Sequence, residues 1–76
     1  MTTITADIII AQRTMTDGSN LYDVVLWRRG EDEPAIEFAA HDEAAADRLA
    51  RKMRDAIEAN TNEAVKISYA IGALVH

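Results

Sequence analysis

Residues 41–60, HDEAAADRLARKMRDAIEAN, are the one segment of the chain with a helical pattern. Its apolar residues recur at steps of three and four, which places them on one face of an α-helix. This stripe consists of Ala45, Leu49, Met53 and Ala56 or Ile57, and it is widened by Ala46 and Ala50. Asp42 is the expected N-cap, because its carboxylate can accept hydrogen bonds from the free amides of the first turn. The pattern predicts an amphipathic helix that lies across one side of a sheet.

Three strands are predicted before this helix. Each segment is rich in β-branched or aromatic residues and alternates apolar with polar positions, which is typical of strands. The segments are residues 3–12, 21–29 and 35–40, and in the third of them Ile36 and Phe38 are predicted to face inward. Turn residues separate the segments. Asp17 and Gly18 lie in a loop longer than a tight hairpin, so either a looser loop or strands that extend into it are expected. Gly30 and Pro34 bracket an acidic turn.

The last segment, residues 63–76, is ambiguous. Its Val, Ile and Tyr residues alternate with polar or small ones and favour a strand, and Gly72 weakens a helix by about 1 kcal/mol. A helical spacing through Ile67, Ile71 and Leu74 stays open as the alternative. With the strand, the chain is expected to be a single domain, residues 1–76, of the α+β class. It would have an antiparallel β-sheet in the order β-β-β-α-β, with one amphipathic helix packed on one face.

The chain has thirteen acids and eight bases, for a net charge of −5. This charge serves solubility in many proteins, or it presents anions to a basic partner. Direct binding to nucleic acid is disfavoured, because phosphates must be neutralised by clustered Lys and Arg. No segment approaches the ~18 apolar residues that span a bilayer, and the first residues lack the features of a signal peptide. We therefore expect a cytoplasmic protein that does not bind membranes.

No residue pattern predicts catalysis, a metal site or a cofactor. There are no cysteines, which excludes disulfides and thiolate ligands. The histidines, His41 and His76, have no second histidine one helical turn away, and the three glycines are too far apart for a phosphate-binding loop. Ser19 and Ser68 have no histidine at a spacing typical of a hydrolase triad. An enzyme is therefore not expected, and binding is the function to consider.

The sheet face opposite the helix is only partly polar. Ile9, Ala11, Val25 and Trp27 are predicted to lie there among acidic residues. An apolar surface rimmed by charge is typical of an interaction surface, and Trp is common among binding hot spots. One alternative is a strand register shifted by one residue, which would exchange the two faces and bury Trp27. The other is that the terminal segment folds over this face.

Carboxylates cluster around the third strand and the start of the helix. They are expected to lie near one end of the molecule, and they are Glu31, Asp32, Glu33, Glu37, Asp42, Glu43 and Asp47. A row of carboxylates imitates a nucleic-acid duplex, which has one negative charge per about 1.7 Å. The alternative is an ordinary solvated loop. The first six of these acids, with Trp27 as an apolar anchor, are the predicted partner-binding residues.

A strand-forming start (MTTITADIII, 1–10), an acidic turn (GEDEP, 30–34) and one amphipathic helix occur together here in a small acidic domain. In these features the chain resembles the small anti-CRISPR proteins of phages and other mobile elements, notably those that act on type I surveillance complexes. The resemblance implies a non-enzymatic inhibitor that binds the Cascade complex and blocks target DNA binding, by DNA mimicry or by steric occlusion. The basic residues of the helix depart from a fully acidic mimic and favour steric occlusion.

A second hypothesis comes from another class of function. The chain would be a small self-associating structural or regulatory module, for example an antitoxin-like domain of a phage or bacterium. In that case the partly apolar sheet face would pair two copies into a homodimer.

Overall fold

The fold is taken from a computed structural model that describes residues 3–70. Its elements follow in the order β1 (Ile4–Thr14), β2 (Asn20–Arg28), β3 (Ile36–Ala40), α1 (Glu43–Asn60) and β4 (Ala64–Ala70). The predicted β-β-β-α-β order and the α+β class are therefore confirmed. The part of the last prediction that concerns residues 71–76, including His76, lies outside the described residues. Within residues 3–70, no helix has the length and apolarity to cross a membrane.

The four strands form one sheet in the order β3-β2-β1-β4. β2 runs antiparallel to β1 and to β3, as predicted for the first three strands. β4 runs parallel to β1, so the sheet is mixed rather than wholly antiparallel. The reason is the helix: 18 residues extend about 27 Å, so α1 carries the chain back to the end of the sheet where β1 begins.

The hairpin between β1 and β2 confirms that the strands extend into their loop. Thr14 pairs with Asn20, which leaves five residues in the connection. Gly18 has φ +91°, a conformation that non-glycine residues rarely adopt. The Ser19 N–H donates to Asp17 Oδ1 at 2.9 Å, so the Asp side chain completes the turn.

The core lies between α1 and the two central strands. Ile8, Ile10 and Val24 are fully buried, and so are Ala46 and Ala50 of the helix. Leu49, Met53 and Ile57, which the sequence pattern placed in the stripe, pack around this centre and are half-buried. The two alanines occupy the centre because their small side chains let the helix backbone approach the sheet closely.

Both ends of α1 are capped by side chains. The Ala45 N–H donates to Asp42 Oδ1 at 2.7 Å, which confirms the predicted N-cap. At the other end the C-cap is Thr61 with φ −140°, and both its N–H and its hydroxyl donate to the carbonyl of Ile57, at 3.0 and 2.7 Å.

β3 is the least covered strand of the sheet. Ile36 and Phe38 were expected to be inward-facing core residues, and their pairing with Leu26 and Val24 places them on the helix side of the sheet. Even so, they are 41% and 48% exposed. The helix contacts β4 most and β3 least, and it leaves this edge largely open to solvent.

We predict that Ile8→Val lowers the free energy of unfolding by about 0.5–1.5 kcal/mol, because it removes a methyl group from a packed core. The matched change Ile36→Val should cost less than about 0.5 kcal/mol, because this side chain is already largely solvated. Urea unfolding followed by Trp27 fluorescence measures both. Equal costs at the two positions would mean that β3 is covered in solution.

Candidate functional site

Five of the six predicted partner-binding acids lie in β3 and the turns on either side of it, and the sixth, Glu43, is the first residue of α1. Residues 30–43 contain six acids and no lysine or arginine, whereas the rest of the chain contains seven acids and eight bases. The net negative charge of the protein is therefore concentrated on one edge of the sheet. We call residues 30–43 the acidic edge.

The carboxylates of the acidic edge form a row rather than one cluster. The five residues of β3 extend about 17 Å, so residues 31–33 lie at one end of the strand and Asp42 and Glu43 at the other. Glu37 lies between them on the face opposite α1, where it pairs with Val25. The expectation that all these acids meet at one end is therefore wrong.

Asp47, which was expected to join this group, lies on the other side of the helix. Its carboxylate accepts hydrogen bonds from the Tyr69 hydroxyl and, at 2.8 Å, from Arg51 Nε. These two bonds, with the Tyr69 contact the larger cause, hold the pKa of Asp47 below its ordinary value. Asp47 thus ties α1 to β4 and does not contribute to the acidic edge.

The acids of the acidic edge have no basic counterpart among the described residues. Five ion pairs occur in residues 3–70, with N–O distances from 2.7 to 3.2 Å. They are Arg13–Asp23, Arg28–Glu63, Arg29–Asp7, Arg51–Asp47 and Arg54–Asp55. Every one joins residues outside the acidic edge. The six carboxylates of the acidic edge all belong to exposed residues, so they are solvated and accessible to a partner.

The strand register confirms the predicted faces and excludes the shifted alternative. Ile9 pairs with Val25, and Trp27 pairs with Asp7, on the face opposite α1. The apolar Ile9–Val25 pair is bracketed along the strands by two diagonal ion pairs. One of them involves Arg29, whose hydrogen bond lowers the pKa of the Asp7 carboxyl. This face is thus apolar at its centre and ion-paired at its rim.

Trp27 positions the acidic turn and is only half-exposed. Its indole Nε1–H donates to the carbonyl of Glu31 at 2.7 Å. The same turn is closed by a bond from the Glu31 N–H to the Arg28 carbonyl at 3.2 Å, and Gly30 supplies the positive φ of +89°. The indole therefore holds the backbone of residues 30–33 in place through the Glu31 carbonyl.

The exposed apolar side chains beside the acids are those of Ile36 and Phe38, which sequence reasoning assigned to the core. Alternation alone cannot separate a covered position from an uncovered one on the same face. The available signal was that β3 is short and charged on both sides, which is typical of an edge strand.

A second polar cluster joins the ends of three elements at Glu63. Its carboxylate accepts hydrogen bonds from the Thr5 hydroxyl at 3.0 Å and from the Arg28 guanidinium at 2.7 Å, and it lies 3.2 Å from the Thr61 hydroxyl oxygen. The bond from Thr5 is the main cause of a lowered pKa of Glu63. This cluster fastens the start of β4 to β1 and β2 and is structural.

The described residues offer no metal site. No group of three or more His, Asp or Glu side chains within residues 3–70 is arranged to hold a metal ion. His41 is exposed in the turn before α1.

No protein-family model matches the chain, and neither do the curated proteins or the solved structures. The functional interpretation therefore depends on the geometry and charge of the chain itself.

We predict that Glu63→Gln lowers the melting temperature at pH 7 more than at pH 3. Glu63 has a lowered pKa in the folded state, so its contribution is present above its ordinary pKa of about 4 and is lost as the pH falls through the folded value. As the pH falls toward the folded pKa, a growing fraction of the wild-type carboxyl is protonated and resembles the amide. Thermal unfolding by circular dichroism at both pH values measures the difference.

The matched control for this measurement is Glu33→Gln, an exposed acid with no hydrogen bond described. Its small effect should not change with pH in the same way. A Glu63→Gln effect of the same size at both pH values would contradict the assignment.

Proposed function

We propose that this chain is a non-enzymatic protein-binding inhibitor that presents the acidic edge to the basic nucleic-acid-binding surface of a partner. The observation that carries the proposal is the separation of charge: six acids and no base in residues 30–43, against a nearly neutral remainder. A surface of one sign attracts a partner of the opposite sign and raises the association rate.

The proposed partner class follows from the resemblance to anti-CRISPR proteins. The partner would be a type I CRISPR surveillance complex, Cascade, in the cytoplasm of a host cell. The acidic edge would contact lysines and arginines that otherwise contact target DNA. The six charges extend beyond the about 17 Å of β3, so they are spaced more widely than the one charge per ~1.7 Å of a duplex. The acids would supply attraction, and the layer of α1 on the sheet would block the path of the DNA.

We predict that Glu31→Gln, Asp32→Asn and Glu33→Gln, combined in one variant, weaken inhibition of Cascade binding to DNA by at least about tenfold. Three carboxylates at one end of the row would no longer meet basic side chains, so the salt dependence of binding should also become flatter. Gel shifts with purified Cascade, its target DNA and increasing inhibitor measure both effects.

A control variant with the same change in net charge separates local from global electrostatics. Asp55→Asn, Ala59→Lys and Asn62→Lys alter exposed positions outside the acidic edge. This variant should inhibit nearly as well as the wild type. Full inhibition by the variant with residues 31–33 neutralised, the acidic-turn variant, would refute the proposed contact. If the protein does not bind Cascade at all, the named partner is refuted.

A second candidate function is supported by the face opposite α1. No described element covers Ile9 and Val25, and ion pairs surround them, an arrangement suited to pairing with another copy. The chain would then be a self-associating structural or regulatory module. Light scattering tests it: a salt-resistant dimer that Ile9→Lys or Trp27→Glu dissociates would favour this candidate, and a monomer at all concentrations would exclude it.

A further inference from the structure

The outer edge of β3 faces no strand within residues 3–70, since β3 is the terminal strand in the sheet order. The Arg29 N–H donates to the Thr5 carbonyl at 3.0 Å, which marks a hydrogen-bonded pair of the β1–β2 ladder. Hydrogen bonding alternates along an antiparallel ladder, so odd residues of β2 bond to β1 and even residues bond to β3. The even residues of β3 therefore bond to β2. Glu37 and Ala39 turn their N–H and C=O groups outward, toward solvent.

An apolar groove runs beside this free edge on the helix side of the sheet. Its volume is about 230 Å³, and it is lined by Leu26, Arg28, Ile36, Met53, Ala56 and Ile57. Phe38, two residues farther along β3, is 48% exposed on the same side. A strand added next to β3 would place alternate side chains at the level of Ile36 and Phe38, where this groove lies.

The opposite edge of the sheet, at β4, is protected against pairing with another strand, whereas the β3 edge is not. On the β4 side, the Val65 N–H donates to the Glu58 carboxylate at 2.9 Å, so a helix side chain occupies a backbone donor. Lys66 lies exposed on that strand, and lysines on edge strands discourage pairing. β3 has no lysine, and Pro34 lies before the strand rather than within it. Its only charged side chain is Glu37.

We propose that β3 binds an extended segment of the partner protein as an added β-strand, with apolar residues alternating toward α1 and basic residues at both ends. The backbone groups of Glu37 and Ala39 would supply the hydrogen bonds, and the groove would take the apolar side chains. The acids at the two ends of β3 would pair with the flanking lysines or arginines. This inference rests on the proposed function, because it specifies how the acidic edge contacts its partner.

Charge excludes a second copy of this chain as the occupant. Pairing β3 with its own copy about a two-fold axis is antiparallel, so residues 31–33 of one copy would lie beside Asp42 and Glu43 of the other. That contact places like charges together at both ends of the strand pair, which is destabilising. A strand with basic residues at both ends would be attracted to these acids instead of repelled by them. The acids at the ends of β3 therefore disfavour pairing with a second copy and favour a basic partner.

The decisive variant is Ala39→Pro. Proline removes the outward N–H of position 39 and places its ring where an added strand would lie, whereas the bonds to β2 use the neighbouring residues. Ala39→Val is the matched control, because it keeps the N–H and favours a strand. The probe is a fluorescent peptide, Lys-Lys-Val-Thr-Val-Thr-Val-Lys-Lys, whose binding is followed by anisotropy. We expect Ala39→Pro to weaken binding by at least about tenfold and Ala39→Val to leave it within about twofold.

A second measurement uses the wild-type protein and does not depend on the folding of the proline variant. The peptide amides are N-methylated one at a time. An added strand bonds through every second residue, so methylation should abolish binding at alternate positions only. A peptide with Glu in place of Lys should not bind. Uniform sensitivity along the peptide, or equal binding of the Glu peptide, would overturn the inference.

The outcomes separate this inference from the proposed function. If Ala39→Pro inhibits Cascade as well as the wild type and the acidic-turn variant does not, strand addition is refuted and the inhibitory function stands. If N-methylation at alternate positions abolishes peptide binding but the protein does not bind Cascade, strand addition is supported and the named partner is refuted. A dimer that Ala39→Pro dissociates would show that β3 pairs with its own copy and would overturn the inference.

Discussion

A single helix cannot cover a four-stranded sheet, and the rest of this molecule follows from that limit. An α-helix with its side chains is about 10 Å wide, whereas the axes of the outer two strands of four are about 14 Å apart. One edge must remain open. Chain connectivity chooses the edge: α1 leads directly into β4, and Asp47 and Glu58 bond the helix to Tyr69 and Val65 of that strand. The helix therefore lies toward β4, and β3 remains exposed.

The acidic residues lie at the strand edge that the helix leaves uncovered. An uncovered strand edge is a template for pairing with any other exposed strand, and proteins usually protect it with charge, proline or a bulge. Here the protection is a row of six acids along residues 30–43. Those acids repel other copies of the chain and most acidic proteins. They do not repel a basic segment, so the charges that disfavour pairing of two β3 edges would also favour a basic partner at this edge.

The sequence predicted the elements well and their arrangement less well. Periodicity identifies α1, its Asp42 cap, the strands and the two sheet faces, because these depend on local side-chain direction. It carries no information on which strand lies at the edge or on the direction of the last strand, because both depend on how far α1 returns along the sheet. The parallel β4 and the exposure of Ile36 and Phe38 were missed for that reason. Trp27 was placed on the correct face, but its bond to the Glu31 carbonyl depends on the turn geometry at Gly30, which no spacing rule reveals.

The acidic edge combines two features that act at different ranges. Its carboxylates act over about a Debye length, ~8–10 Å at physiological salt, and therefore govern approach and selection. The backbone groups of Glu37 and Ala39, and the groove beside Ile36, act only in contact and require an extended, alternating segment. A globular basic surface satisfies the first requirement but not the second. A partner that satisfies both must expose a strand or a loop that can extend, with its basic residues at the ends of an apolar stretch. In the proposed contact, selectivity at this edge would arise from charge and backbone geometry together, and neither alone would distinguish one basic protein from another.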